Sequence, residues 1–237
     1  MNEIYNNNPN LKGSGVQIEW TEEQAKEYIK CMEDPIHFIK TYVKIVNLDQ
    51  GLVNFNMYPF QENMVRNFYD NRFTICKIGR QSGKSITSIA FFLHYILFNK
   101  DVSVALLANK LATARELLGR LQMAYEHLPK WLQQGVVEWN KGSVEFENGS
   151  KIVAAATSSS AIRGKSVSFL YIDEAGFVEN WEEFSSAVLP TISSGKTTKT
   201  LYTSTPNGLN HFHKTCSGAK EGTNGFKFVE VPWQKVP

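Results

Sequence analysis

The chain has 237 residues, of which 42% are hydrophobic and 20% charged, enough to bury one substantial core or a core with a small subdomain. A net charge of +2 neither indicates nor excludes a nucleic-acid partner, because basic groups can gather on one surface. The three cysteines are far apart and form no CxxC pair, which argues against a disulfide framework or a zinc site and fits a reducing cytoplasm. No apolar run approaches a membrane span of about 18 residues, and the polar start has no signal-peptide core.

The first quarter of the chain is predicted to be helical and accessory. The polar residues 1–15 are expected to form a loose tail. Thr21 is a candidate N-cap of a first helix, a short amphipathic segment follows, and apolar residues at helical spacing between 60 and 68 predict another helix. We therefore divide the chain into a flexible tail with a helical accessory or lid segment, 1–54, and a core, 55–237.

From residue 72 onward, predicted strands alternate with predicted helices, which indicates crossover units around a parallel sheet. Two glycine turns between 136 and 156 predict β-hairpins, and so an antiparallel insertion in the parallel fold. After Gly208 the signals weaken and no closing element is evident, as expected of a chain cut from something longer. The predicted strands are 72–78, 102–108, 169–173 and 198–204, and the predicted helices are 85–98, 111–128 and 181–192.

The stretch KIGRQSGKS, residues 77–85, ends as a phosphate-binding loop ends. Gly83 allows close backbone approach, Lys84 supplies charge for the β- and γ-phosphates, and Ser85 can place its hydroxyl on Mg²⁺. Ile78 stands where the pattern GxxxxGK[ST] has its first glycine, and Gly79 shifts the entry turn by one residue. Alternatively, GKS is only a turn that starts a helix, with Ser85 as its cap.

A second motif, SFLYIDEAG, is an apolar strand that ends in two acids, Asp173 and Glu174. An acid at the carboxyl end of a strand beside a phosphate loop can hold Mg²⁺ through water, and a following glutamate can polarise the attacking water. Either acid alone could instead cap a helix. The two motifs together predict a nucleotide hydrolase.

These motifs resemble the ATPase part of the large terminase, the DNA-packaging motor of tailed bacteriophages, and within it the T-even-like branch. The resemblance runs from about NMYPFQ to the C-terminus and rests on GRQSGKS, VEWNKGSVEFENGSKI, AIRGKS, LYIDEAGFVENW and LYTSTPNGLNHF. Members of this family commonly have a loop that begins with Arg-Gln in place of a glycine. The implied fold is α/β, a P-loop NTPase of the additional-strand, catalytic-glutamate type, with a mainly parallel sheet flanked by helices, a β-hairpin insertion and an N-terminal helical segment.

The resemblance also implies ATP and Mg²⁺ as cofactors and assigns the ligands. Glu174 would orient water, and Ser85 and Asp173 would hold the metal ion. Gln61 matches a glutamine that reads the adenine edge, and the shorter Asn56 falls where some relatives have a second one; alternatively, Gln61 is a solvent-facing residue of a helix. The nucleotide would be bound by the phosphate loop, whose residues are Gly79, Arg80, Gln81, Ser82, Gly83, Lys84 and Ser85.

Thr203, Ser204 and Thr205 fall on the family's coupling motif, whose hydroxyls sense the γ-phosphate, although strand propensity alone would also favour threonine there. Arg80, within the loop, and Arg163, ten residues before Asp173, are candidate arginine fingers, acting in cis and toward a neighbouring subunit respectively. A surface salt bridge is the alternative for either arginine.

By the same resemblance, the domain hydrolyses ATP to drive double-stranded viral DNA into a procapsid. The implied partners are the portal protein, the small terminase subunit and further copies in a homo-oligomeric ring, working in the cytoplasm of the infected bacterium at the portal, with no membrane. The family's C-terminal nuclease domain is expected to be absent. Two alternatives remain: a nucleic-acid helicase or remodeller, which would need a second RecA-like core, and a non-hydrolytic nucleotide-binding scaffold in which Glu174 is idle.

Overall fold

The computed structural model describes residues 3–158, 161–162, 166–193 and 195–236. The helices are α1 (Glu22–Glu33), α2 (Pro35–Tyr42), α3 (Pro59–Asp70), α4 (Lys84–Phe98), α5 (Leu111–Glu126), α6 (Trp181–Ser193) and α7 (His211–Glu221). The strands are β1 (Lys44–Asn47), β2 (Gly51–Asn54), β3 (Phe73–Ile78), β4 (Ser103–Ala108), β5 (Val136–Trp139), β6 (Ser143–Phe146), β7 (Lys151–Ala156), β8 (Phe169–Asp173), β9 (Lys199–Ser204) and β10 (Lys227–Val231). After an N-terminal part with two helices and a hairpin, helices and strands alternate from α3 to α5; four strands, β5 to β8, then follow one another, and the alternation resumes from α6 to β10.

An eight-stranded sheet in the order β10-β3-β9-β8-β4-β7-β6-β5 forms the centre of the molecule. All pairings from β10 to β7 are parallel, and only β5, β6 and β7 pair antiparallel with one another. Strand β9 is the additional strand: it lies between β3, which precedes the phosphate loop, and β8, which carries the acids. The predicted fold class, a mainly parallel sheet flanked by helices, is confirmed.

The sheet is covered on both faces, so its central strands are buried throughout. On β8, Phe169 and Tyr171 belong to the core that contains α4 and α5, whereas Leu170 and Ile172 belong to the core that contains α6 and α7. This alternation follows from the two-residue period of a strand. It places Asp173 on the same side as Tyr171, facing α4.

The N-terminal helix begins where the sequence predicts. The Thr21 hydroxyl accepts the Gln24 N–H at 3.2 Å, and the Gln24 side chain accepts the Thr21 N–H at 3.0 Å, which completes a capping box. Helix α1 ends at Glu33, and Pro35 begins the first turn of α2, where a proline is tolerated. Among the described residues, no helix combines the length and the apolar character that crossing a membrane requires.

The start of the chain is packed, in contrast to the expected loose tail. Leu11 is 1% exposed, and Gly13 forms a bridge with Val136 at the edge of the large sheet. The Glu147 carboxylate accepts the N–H groups of Gly15 at 2.8 Å and Gly135 at 2.7 Å. The asparagine-rich composition of this segment does not predict its packing, because the packing depends on one leucine and a few backbone hydrogen bonds.

Two further segments differ from expectation. Residues 44–54 form an antiparallel hairpin, β1 and β2, with Gly51 at φ 71, so the accessory part is not wholly helical. After Gly208, α7 and β10 follow, and β10 pairs in parallel with β3 at the edge of the sheet, so the expectation of no closing element was wrong. The hairpins predicted between 136 and 156 are present, but they extend the other sheet edge, because β7 pairs in parallel with β4.

Candidate nucleotide-binding site

The phosphate loop joins β3 to α4 and ends at a left-handed glycine. Gly83 is the N-cap of α4 with φ 72, and a Cβ atom there would lie 2.6 Å from Nε2 of Gln61, so any other residue would be strained and would displace the Gln61 amide. The second left-handed residue of the loop is Gln81, with φ 56, whereas Gly79 is not left-handed and has room for a side chain. The free N–H groups at the start of α4 form an anion site, as such helix ends do.

Gln61 is buried against this loop and is hydrogen-bonded to it. It is 3% exposed, its Oε1 accepts the Tyr58 N–H at 2.9 Å, and its Nε2 donates to the carbonyl oxygen of Ser82 at 3.2 Å. The alternative of a solvent-facing glutamine is therefore wrong. Gln61 and Asn56 both line a cavity of about 430 Å³ under the β1–β2 hairpin, and contact with adenine stays a prediction.

Lys84 and Glu174 are in direct contact. The Lys84 ammonium lies 2.7 Å from Oε1 of Glu174, and their side chains are 9% and 30% exposed. Glu174 is held in the left-handed region, with φ 52, which a non-glycine residue adopts only when its surroundings impose it. The structure thus brings together the basic group of one motif and the carboxylate of the other.

Ser85 and Asp173 form the second contact between the motifs. The Ser85 hydroxyl lies 3.2 Å from Oδ1 and 3.0 Å from Oδ2 of Asp173. Asp173 is 3% exposed and, within the described part of the chain, has no ion-pair partner. A buried carboxylate without a basic partner calls for a cation, and hydroxyl and carboxylate oxygens are the ligands that Mg²⁺ prefers, so these residues fit the expected metal ion.

The three hydroxyl residues at the end of β9 all contact the acids. Thr203 Oγ1 donates to Oδ1 of Asp173 at 2.9 Å, because Thr203 and Asp173 are register partners across β9 and β8. Oε2 of Glu174 lies 3.3 Å from the hydroxyls of Ser204 and Thr205 and accepts the Thr205 N–H at 3.2 Å. Strand propensity alone does not account for these contacts.

A set of side chains after β9 fixes the turn that follows Glu174. The amides of Asn207 and Asn210 donate to the carbonyl oxygen of Gly176 at 3.0 Å and 2.7 Å. Nε2 of His211 donates to the carbonyl oxygen of Ala175 at 2.7 Å. His211 thus has a structural contact beside the acid pair, and no motif in the sequence marks it.

The structure describes only one of the two candidate arginine fingers. Arg80 is exposed on the loop, and Arg163 lies outside the described residues. Sequence reasoning missed Arg120 of α5, which lines a cavity of about 570 Å³ together with Lys84 and Ser85 and pairs with Glu116 at 2.7 Å. No motif marks Arg120, because only the packing of α5 brings it to the loop.

A larger cavity, of about 780 Å³, lies away from the phosphate loop. It is lined by Trp181 and by His211, whose rings stack with centroids 4.3 Å apart, and by Glu182, Glu183 and Lys214. Its walls carry charges of both signs and none of the loop residues. The residues of the phosphate loop line two other cavities and not this one.

Comparisons with known proteins agree with this geometry. Among solved structures, the large terminase ATPase domain of Thermus phage P74-26 matches with a TM-score of 0.63 and 21% identity over 76% of this chain and 83% of that one. The HK97 bacteriophage large terminase matches with a TM-score of 0.70 and 16% identity over 85% of this chain and 43% of that one. A large terminase from a thermophilic bacteriophage, solved with ADP, has a TM-score of 0.60 and 12% identity over 76% of this chain and 46% of that one.

At these identities the likeness shows the fold, and this chain spans less than half the length of the last two proteins. The family is shown by the sequence itself. The model described as terminase large subunit, T4likevirus-type, N-terminal, matches residues 75–234, which is more than half of the chain. The chain therefore belongs to the T4-like family of terminase large subunits, of which it carries the N-terminal ATPase domain.

Proposed function

We propose that this domain binds ATP with Mg²⁺ on residues 79–85 and hydrolyses it to drive double-stranded viral DNA into a procapsid. The observation that carries the proposal is the double contact across β9, Lys84 with Glu174 and Ser85 with Asp173. It joins a phosphate-binding helix start to two strand-end carboxylates. Family membership supplies the biological context.

The roles follow from the contacts. The N–H groups at the start of α4 and the Lys84 ammonium would bind the β- and γ-phosphates. Since Lys84 is paired with Glu174, a phosphate that attracts Lys84 also releases the carboxylate to orient water. Ser85 and Asp173 would hold Mg²⁺, which offsets the negative charge of the phosphates when bound.

Thr203, Ser204 and Thr205 are well placed for coupling. Because these hydroxyls contact Asp173 and Glu174, a displacement of either carboxylate changes hydrogen bonds at the end of β9. We assign these residues to sensing the γ-phosphate, and Gln61 and residues 79–85 to nucleotide binding.

Two arginines are proposed to stabilise charge in the transition state. Arg80 would act in cis, because it lies within the loop itself, and Arg163 would complete the site of a neighbouring subunit. An arginine finger of this kind raises kcat by orders of magnitude.

The wider context is also part of the proposal. The chain would work as a homo-oligomeric ring at the portal of the procapsid, in the cytoplasm of the infected bacterium, together with the portal protein and the small terminase subunit. Residues 1–54 form its accessory segment and 55–237 its ATPase core. We also expect no nuclease activity from this chain, so it should leave supercoiled plasmid intact at any divalent-metal concentration.

Magnesium-dependent phosphate release by the purified chain tests the hydrolase. Slow release that Glu174→Ala abolishes, while the variant still binds a fluorescent ATP analogue, supports the proposal. Binding without release by the wild-type chain would instead indicate a non-hydrolytic module. Stimulation by single-stranded nucleic acid alone, with strand separation, would indicate a helicase.

A further inference from the structure

A buried tyrosine links the metal-binding acid to the end of β9. The Tyr171 hydroxyl donates to Oδ1 of Asp173 at 3.0 Å and lies 3.1 Å from Oγ1 of Thr203. Thr203 in turn donates to the same Oδ1 at 2.9 Å. The three oxygens form a closed triangle within the core.

The two oxygens of the Asp173 carboxylate are therefore not equivalent. Oδ1 is surrounded by the hydroxyls of Tyr171, Thr203 and Ser85, whereas the Ser85 hydroxyl is the one described partner of Oδ2. A carboxylate held by one oxygen presents the other in a fixed direction. Here the presented oxygen is on the side of Ser85, the second expected ligand of the metal ion.

The Tyr171 ring is positioned independently of its hydroxyl. It is fully buried, and its centroid lies 5.2 Å from that of Phe92 in α4. A phenol keeps its proton at neutral pH, so the Tyr171 hydroxyl is a hydrogen-bond donor to the carboxylate. Removing the oxygen alone would leave the packing of the ring in place.

We propose that Tyr171 is a positioning residue for the cation: its hydroxyl fixes the Asp173 carboxylate so that Oδ2 and Ser85 Oγ together face a divalent metal ion. Partners of this kind behind a metal ligand are commonly worth 10-fold to 100-fold in metal affinity. This inference rests on the proposed function, because it takes the Ser85 and Asp173 oxygens as the cation site. It adds a residue whose position on a buried strand otherwise indicates only core packing.

The test is the free Mg²⁺ concentration that gives half-maximal binding of a fluorescent, non-hydrolysable ATP analogue to the Tyr171→Phe variant. We expect this concentration to rise about tenfold, with a melting temperature close to that of the wild type. Tyr202→Phe is the matched control, because Tyr202 is a buried tyrosine of the adjacent strand on the opposite face, and its hydroxyl has no hydrogen bond within the described residues. Tyr202→Phe should leave the Mg²⁺ requirement unchanged.

An unchanged or lower Mg²⁺ requirement in folded Tyr171→Phe overturns the inference while leaving the ATPase proposal standing. If Tyr171→Phe does not fold, Thr203→Val removes a second hydroxyl donor to the same oxygen and must raise the Mg²⁺ requirement in its place. If the wild-type chain binds the analogue with no dependence on Mg²⁺, the cation site itself is wrong, and both proposals fail together.

Discussion

The contact between Lys84 and Glu174 makes a prediction that differs from the usual one for a catalytic glutamate. Removal of such a residue is generally expected to stop turnover and leave nucleotide binding unchanged. Here Glu174 also holds the lysine that the phosphates need, at 2.7 Å. The Glu174→Gln variant should therefore bind ATP more tightly than the wild type while losing turnover.

The magnitude follows from the geometry. At 2.7 Å, with an effective dielectric constant of about 20, the gross attraction between the two charges is about 6 kcal/mol. Desolvation of both groups and the 30% exposure of the Glu174 side chain reduce the net value to about 1 kcal/mol. Releasing Lys84 should thus tighten ATP binding about fivefold, and the loss of a group that acts on water should lower kcat by about 100-fold or more.

Fluorescence titration with an ATP analogue and a phosphate-release assay measure the two effects separately. Glu183→Gln is the matched control, since it removes an exposed carboxylate of α6 outside the loop cavity and should change neither quantity. Lys84→Ala should lose affinity. Weaker nucleotide binding by Glu174→Gln would refute the competition between Glu174 and the phosphates, and wild-type turnover would refute its role on water.

Three other predictions test separate parts of the structure. Burial raises the pKa of Glu147, but two backbone N–H groups and Lys12 lower it more, so its net pKa is below the ordinary value for a glutamate. Glu147→Gln should therefore cost about 1 kcal/mol of stability at pH 7 by thermal melting, and the deficit should disappear as the pH falls through that lowered pKa. Gly83→Ala should abolish binding of the ATP analogue. Gly222 has a similar φ of 74 but open space around it, so Gly222→Ala should cost only about 1 kcal/mol of stability. Equal binding of the analogue by both variants would contradict the steric argument. If Arg163 completes a neighbouring site, ATPase activity per molecule should rise with protein concentration. Mixing inactive Arg163→Ala and Glu174→Ala chains should then restore part of the activity. A mixture that stays inactive, at concentrations where the wild type shows this rise, would mean that Arg163 is not the arginine finger.

The parts of the site that the sequence predicts are those formed by residues close together along the chain. Strand, loop and helix around Lys84 follow one another directly, so hydrophobic patterning and the GKS sequence suffice. The same holds for the strand that ends in Asp173. The contacts between the hydroxyls of β9 and the two acids are predicted only in part. The resemblance assigns roles to these hydroxyls but does not state which acid each one contacts.

The parts that the sequence conceals depend on long-range packing. Arg120 reaches the loop only through the placement of α5, and Tyr171 has the pattern of an ordinary core residue of a buried strand. The docking of Leu11 depends on Gln133, whose amide oxygen accepts the Lys12 N–H at 3.0 Å across the fold. Local propensity contains no information about such contacts, which arise once the sheet has formed.

The position of β9 gives the site a direct route to α7. Asp173 and Glu174 are hydrogen-bonded to the end of β9, and the N–H of Gly176, in the turn after the acids, donates to Ser204 at 3.0 Å. A Cβ atom on Gly176 would lie 2.9 Å from the Ser204 hydroxyl, so that turn packs closely against the strand end. His211, the first residue of α7, is bonded to the same turn at 2.7 Å, and α7 packs against β3 and β10. In the proposed cycle, a change at the acids that follows loss of the γ-phosphate would thus have a hydrogen-bonded path to α7, through Ser204, the turn after Glu174, and His211.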